Sequence, residues 1–304
     1  MDNVIKKIKN NSRHIFQFVF TCLSNGYLSG FLKGNIYKGK GKFFCLPGLN
    51  CYSCPGALGS CPVGSFQAVI GDRNYKFAFY VSGILIFFGA LFGRFICGFL
   101  CPFGLVQDLI YKIPFFKKLK KLPGEKFLKY IKYIILILFV ILLPLFAVDF
   151  MGTGKPWFCQ YICPSGTLFG GIPLISSSPA LRGALGWLFT WKTAILVVLI
   201  FLSLIVYRPF CRYLCPLGAF YSLFNKIALV RYKVDEDKCT KCGLCQKKCN
   251  IDIKVFETPN NAECIRCAEC MKACPHKAIV FENTFEKIKN SNDKRSTPDV
   301  KKVR

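Results

Sequence analysis

Histidine is almost absent from this chain: among 304 residues there are two, His14 and His276. No C-x-x-C-H string occurs, which excludes covalent c-type haem, and two isolated imidazoles leave nothing for a bis-histidine haem. Acidic residues are scarce too, 16 Asp and Glu against 42 Lys and Arg, for a net charge of +26. Two long stretches, Phe43 to Ile70 and Pro156 to Leu181, carry no charge at all. Reading the basic excess as nucleic-acid binding leaves the apolar runs unexplained, whereas cationic membrane proteins concentrate Lys and Arg on their cytoplasmic flanks.

What is abundant is hydrophobic surface and cysteine. Hydrophobic residues make up 53% of the chain and the mean hydropathy is +0.37. Four runs, about 14–32, 77–96, 129–148 and 186–207, approach the ~20 residues a helix needs to span a bilayer. Asn25 and Gly26 interrupt the first. Lys6, Lys7, Lys9 and Arg13 precede that run and no small-residue cleavage site follows it, which reads as an anchor rather than a signal peptide. From Tyr111 to Lys132 there are eight lysines, with Glu125 the only acid. The positive-inside rule puts this segment in the cytoplasm. Four spans then put both termini there and the loops 33–75 and 149–185 outside. Lys33, Lys38, Lys40 and Lys42 in the first outer loop run against the rule.

The membrane part reads as an internal duplication. A shift of 114 residues carries Cys97, Cys101, Pro102 and Gly104 onto Cys211, Cys215, Pro216 and Gly218, and Cys45 onto Cys159. Parallel repeats imply a pseudo-twofold axis along the membrane normal. The uncharged stretches 43–70 and 156–181 sit between the two spans of their own halves and read as re-entrant loops, covered by protein. The expected fold is an α-helical membrane protein with about four transmembrane helices in duplicated two-helix halves, plus a C-terminal α+β ferredoxin-like domain. Expected boundaries are a membrane domain 1–228 with repeats at about 12–113 and 126–227, a two-cluster domain 229–283, and a disordered tail 284–304.

Nineteen cysteines supply the chemistry. Cys239-x2-Cys242-x2-Cys245-x3-Cys249 is followed by Cys264-x2-Cys267-x2-Cys270-x3-Cys274-Pro275. A cubane cluster needs four thiolates, and in this spacing the fourth cysteine of each run serves the other cluster. One [4Fe–4S] cluster is therefore expected on Cys239, Cys242, Cys245 and Cys274, and the other on Cys264, Cys267, Cys270 and Cys249. Zinc or disulfides are the competing uses of such thiols. Three C-x-x-x-C-P strings follow the same logic, Cys97/Cys101, Cys159/Cys163 and Cys211/Cys215. Cysteines at i and i+4 share a helix face and Pro interrupts helical bonding. Cys97, Cys101, Cys211 and Cys215 together make one four-ligand set on the inner side; the alternative is a group of reduced, packed thiols. The outer side has six, Cys45, Cys51, Cys54, Cys61, Cys159 and Cys163, of which four would hold a cluster or some would form disulfides. Cys22 reads as a core residue. Arg94, Arg208 and Arg212 flank the inner pairs, either as flanking charge or as cations stabilising a reduced cluster.

With duplicated C-x-x-x-C-P strings at helix ends and the C-terminal eight-cysteine pattern, the chain resembles the membrane polyferredoxins. These include the quinol dehydrogenase subunit of periplasmic nitrate reductase systems and the C-terminal part of the regulator of nitrous oxide reductase. The C-terminal pattern resembles bacterial two-cluster ferredoxins, with Asn250 where proline is usual. The string PGLNCYSCPGALGSCPVG at 47–64 is similar to an uncharacterised anaerobe subgroup. The resemblance implies electron transfer at the cytoplasmic membrane, as a component of an oxidoreductase system rather than a stand-alone catalyst. It does not fix donor or acceptor; the leading expectation is a relay between a cytoplasmic low-potential donor and the membrane or an extracytoplasmic acceptor such as a flavoprotein or reductase. Quinone and membrane lipid are further expected partners, and nucleic acid is not. A quinol dehydrogenase subunit and a redox-sensing or assembly protein are the competing functions.

Overall fold

Two of the apolar runs form long helices, Glu125–Phe146 (22 residues) and Trp187–Ile205 (19 residues), both long and apolar enough to cross a membrane. The computed structural model that contains them describes residues 2–72, 79–149, 154–183 and 185–283. These helices turn large apolar side chains outward, among them Ile134, Ile137 and Phe146 on one and Val197, Val198 and Phe201 on the other. Water gives no reason for such a surface, and hydrocarbon does. Phe79–Phe92 is apolar but has 14 residues. The tail 284–304, expected to be disordered, lies outside the described residues.

The first expected span is corrected by the structure. No single helix covers 14–32: one helix, Asp2–Ser24, stops, and a second of 6 residues, Leu28–Lys33, begins after a turn. The Asn25 side-chain amide donates to Thr21 O and to Ser24 Oγ, both at 3.1 Å. An amide that competes for main-chain carbonyls in this way ends helices. Cys22, expected in the core, is exposed on the first of these helices.

Glu125–Phe146 widens to a π-helical turn over Leu136–Leu142, just ahead of Pro144. Proline cannot donate its nitrogen and crowds the preceding turn, and a wider turn relieves both problems. Pro144 also explains Gly154, where a Cβ would stand 2.2 Å from the Pro144 carbonyl oxygen. Gly154 N donates to Gly71 O at 2.6 Å, tying the end of the Pro62–Gly71 helix to this segment.

The C-terminal part pairs strands Val230–Val234 and Ile279–Asn283 antiparallel, from Val230 opposite Asn283 to Val234 opposite Ile279. Two short helices, Leu244–Lys248 and Glu269–Ala273, pack against each other between the strands. This unit is bonded to the helical part rather than hung from it. Arg266 donates to Phe92 O at 2.8 Å and to Asn225 O at 2.6 Å, and Asn225 donates to Asn261 O at 2.6 Å and Cys264 O at 2.9 Å.

Several buried charges are paired with a counter-ion. Arg208 forks onto Asp108 with bonds of 2.6 and 2.5 Å, and Arg13 adds a contact of 3.0 Å to the same carboxylate. Burial alone would push the Asp108 carboxyl up, but Arg208, then Arg13, outweigh it and hold it below its ordinary value. Arg94 and Lys132 clasp Glu263 at 2.6 and 2.5 Å, and Arg212 pairs with Glu125. Asp108→Asn is expected to lower stability by ~3–5 kcal/mol, because it leaves buried guanidinium groups without a counter-charge. Thermal unfolding of the detergent-solubilised protein checks this. A group with a depressed value contributes its stability above the unfolded pKa and loses it as pH falls through the folded one. The Asp108 contribution should therefore stay constant from pH 8 to pH 5 and fade only below about pH 4, the ordinary aspartate range.

Candidate metal centres

The two cysteine-rich runs of the C-terminal unit fold into matching loops. Lys241 (φ 53) and Gly243 (φ 73) flank Cys242, and Arg266 (φ 54) and Ala268 (φ 64) flank Cys267, all in the left-handed region. Such alternation turns successive N–H groups toward one enclosed point, a cradle for negative charge. Backbone N–H groups two residues on, at Leu244 and Glu269, reach the Cys242 and Cys267 sulfurs. The Leu244 N–H holds the exposed Cys242 thiol below its ordinary value, whereas burial pushes Cys264 up to about 12. A buried thiol of that kind becomes a thiolate only when a metal takes the proton's place.

The loops enclose two cavities. Cys239, Cys242, Cys245 and Cys274 line one, beside His276. Cys249, Cys264, Cys267 and Cys270 line the other, beside Tyr207 and Tyr232. Among the described residues, no three His, Cys, Asp or Glu side chains close around a single metal ion. One zinc ion would hold each sulfur at ~2.3 Å and draw them together. Four thiolates at the corners of a cubane stand farther apart, and a wall of four cysteines around each cavity suits that group.

The helical part brings Cys97, Cys101, Cys211 and Cys215 together. All four are buried, at 4–6% exposure, and lie within electrostatic reach of one another. Cys101 and Cys215 cap the helices Pro102–Lys112 and Pro216–Phe224, each accepting from the glycine N–H three residues on, at 3.4 and 3.3 Å. Two arginines brace the set: Arg94 donates to Cys211 O at 2.8 Å, and Arg208 to Cys97 O at 2.5 Å. Arg212, the third flanking cation of the sequence, points away to Lys120 O and Glu125.

On the opposite side the six cysteines divide. Cys51, Cys61, Cys159 and Cys163 line one cavity of about 960 Å³. Cys45 and Cys54 are not part of its wall. Cys45 is buried in an isolated main-chain bridge to Ser60, and Cys54 donates its S–H to the Asn25 side chain at 3.5 Å. The 114-residue match of Cys45 with Cys159 therefore does not reflect a shared wall. No disulfide joins any of these cysteines, all of which are free thiols.

Three residues escaped the sequence reading. Gln67, Gln107 and Tyr221 are all 0–2% exposed. Gln107 Nε2 lies 3.2 Å from Cys211 Sγ, and Gln67 Nε2 lies 3.3 Å from Cys159 Sγ. The signal was the string C-P-x-G-x-x-Q, present at 61–67 and again at 101–107. Tyr221 stands at the same offset from Cys215 and lies within electrostatic reach of Cys61 and of Cys97, Cys101 and Cys215.

Comparison with known proteins points to iron–sulfur binding. A 4Fe–4S binding domain model matches residues 77–123, 133–177 and 187–234, and a second 4Fe–4S binding domain model matches 258–280. An uncharacterized protein of Methanocaldococcus jannaschii is 34% identical over 208 residues, covering 67% of this chain and 78% of that protein. The methylamine utilization ferredoxin-type protein MauN of Methylorubrum extorquens is 28% identical over 167 residues, 55% of this chain and 50% of MauN. The ferredoxin-type protein NapH of Haemophilus influenzae is 28% identical over 177 residues, 58% of this chain and 54% of NapH. The chain thus spans about half the length of the two named relatives. No solved structure matches. The chain belongs to the NapH/MauN-like ferredoxin-type polyferredoxins, membrane iron–sulfur proteins of electron transfer. Cys242→Ala and Cys267→Ala should each remove about four irons and destabilise the C-terminal unit, because a domain this small lacks a sufficient apolar core. Iron assay and thermal unfolding of anaerobically purified variants check both effects.

Proposed function

We propose that this chain is a multi-pass membrane conduit, taking electrons from a cytoplasmic low-potential donor and delivering them to an extracytoplasmic acceptor such as a flavoprotein or reductase. The observation that carries the reading is the adjacency of the four cysteine groups. Cys239, Cys242, Cys245 and Cys274 would hold the entry cluster, and Cys264, Cys267, Cys270 and Cys249 the second. Each bound [4Fe–4S] cluster supplies a one-electron centre. Ile265, between two cysteines of the second group, packs on Gly98, between two of the inner group; a Cβ at Gly98 would meet Ile265 O at 2.5 Å. Cys211 and Ile265 also share the wall of one small cleft. Tyr221 continues the path from the inner group toward Cys61.

The duplicated-halves reading draws support from Arg94 and Arg208. They stand 114 residues apart in the sequence and make reciprocal bonds, each to the cysteine carbonyl of the other half. In this reading the membrane domain is 1–228 and the ferredoxin domain 229–283, with both termini cytoplasmic. The eight lysines between Tyr111 and Lys132 support that orientation.

Charge favours outward flow. The cations nearest the inner group are already matched, Arg94 by Glu263 and Arg208 by Asp108. On the outer cavity wall, Lys42 and Lys192 bond to the carbonyls of Tyr52 and Cys159, and among the described residues neither has a carboxylate partner in contact. An unmatched cation favours the more negative, reduced state of a centre beside it. The test uses liposomes with an acceptor trapped on the side opposite the ferredoxin domain and a low-potential donor added on its own side. The wild-type chain should reduce the acceptor. Cys101→Ala and Cys215→Ala should abolish that transfer while the ferredoxin-domain iron remains; transfer at the wild-type rate would reduce the helical part to an anchor.

A further inference from the structure

We propose that Cys51, Cys61, Cys159 and Cys163 hold a [4Fe–4S] cluster at the outer side, in a site built on the same plan as the inner group, with Gln67 as its positioning residue. The assignment rests on the conduit reading for its role in electron transfer, but not for its geometry. Residues 43–72, which supply two of the four thiols, lie outside every family-model match.

The plan is visible in four repeated corners. Cys61, Cys101, Cys163 and Cys215 each stand before a proline and three residues before a glycine. Each has extended backbone, with ψ between 109 and 128°, and each caps a helix whose first residue is that proline. At Cys101 and Cys215 the glycine N–H donates to the cysteine sulfur, and at Cys61 and Cys163 the matching N–H of Gly64 and Gly166 lies near the sulfur without closing a hydrogen bond. Pro has no N–H to leave unpaired at the first helical position, so the turn loses nothing there.

The glutamines make the correspondence stronger. Gln107, six residues after Cys101, puts Nε2 on Cys211 Sγ at 3.2 Å and accepts from Phe210 N at 3.2 Å through Oε1. Gln67, six residues after Cys61, puts Nε2 on Cys159 Sγ at 3.3 Å and accepts from Phe158 N at 3.0 Å. Cys211 and Cys159 each stand four residues before the next corner cysteine. One amide thus fixes both a sulfur and the chain just before it, in both sites. The Phe158 N–H orients Gln67, so that its NH₂ group and not its oxygen faces Cys159.

That fixes three outer ligands, and the fourth follows from position. Cys51 shares the cavity wall with the other three and lies within electrostatic reach of Cys61, Cys159 and Cys163. A Cβ placed on Gly166 of the Cys163 corner would stand 3.7 Å from Cys51 Sγ, so the thiol abuts that turn. Cys54 keeps its proton to donate to Asn25, and Cys45 is held off the cavity by its bridge to Ser60. The cavity, about 960 Å³, exceeds what a cubane fills. The remaining opening gives an acceptor close approach to the cluster.

Iron and acid-labile sulfide are measured on the anaerobically purified full chain. Cys61→Ser and Cys163→Ser should each lose about four irons, and Cys45→Ser and Cys54→Ser none. Gln67→Leu should keep its iron and lower the midpoint potential of one cluster in an EPR-monitored redox titration, since it removes an N–H···S bond that favours the reduced state. An unchanged potential would remove Gln67 from the site, even if the cysteine variants fold poorly. Iron loss in Cys54→Ser or Cys45→Ser would overturn the choice of ligands. Full iron in Cys61→Ser alongside loss in Cys101→Ser overturns the outer site alone; full iron in both overturns the conduit as well.

Discussion

Arg94 and Arg208 are 1–2% exposed, and a guanidinium so deeply buried must find a partner for its charge and for its donors. Each solves this by bonding in two directions. Arg94 reaches Glu263 and Ala262 of the C-terminal unit and Cys211 of the helical part. Arg208 reaches Asp108 and Cys97. Arg208 takes this position with a left-handed backbone, φ 50, a costly conformation for a bulky residue. The two side chains therefore do three things together. They fix the inner cysteine carbonyls, join the two cysteine-bearing helix ends, and, through Glu263 beside Cys264, hold the ferredoxin unit against that junction.

Electron transfer is sensitive to distance, so rigid docking matters more here than the stability of any one pair. Buried ion pairs are often no more stabilising than well-packed apolar residues. Their geometry is directional, however, and Lys132, Arg94 and Glu263 make a three-way contact that tolerates little sliding. Asn225 adds two bonds into the 261–264 loop, and the absent side chain of Gly98 lets Ile265 come to backbone contact. The same interface carries the mechanical load and sets Ile265, beside Cys264, against Gly98, beside Cys97.

Much of this was legible because cysteine spacing is a local property. Within each C-terminal run the four cysteines stand three or four positions apart, so loop geometry groups each run. The grouping of Cys97, Cys101, Cys211 and Cys215 was legible through the matching C-x-x-x-C-P strings 114 residues apart. The outer six were not divisible, because the division depends on contacts distant in sequence: Asn25 holding Cys54, and Ser60 holding Cys45. Asn25 and Gly26 had marked a weak point in the first apolar run, and the chain does break there, but Cys22 then faces outward on a helix no longer enclosed. The glutamines went unread because one neutral polar residue in an apolar helix has many uses, and only its partner, Cys159 or Cys211, reveals which applies.

The uncharged stretches at 43–70 and 156–181 pose a physical problem that the repeated corner answers. A thiolate in a low-dielectric region needs compensation, and the usual means, a nearby cation, is expensive to bury in its own right. Near the C-terminal unit, that expense is offset by carboxylates from the same interface, Glu263 and Asp108. Those carboxylates have no counterpart in the outer stretches, which contain no charged residue. There dipoles join the Lys42 and Lys192 ammonium groups of the cavity wall in supplying the compensation. The C-P-x-G turn brings a backbone N–H near each corner sulfur, and Gln67 supplies a side-chain N–H to Cys159. Dipoles fixed by covalent geometry and by a second hydrogen bond need no counter-ion and cannot be titrated away. A chain built on this turn can carry cysteines through an apolar setting with two lysines at its edge, in place of the buried arginine–carboxylate pairs that its inner half employs.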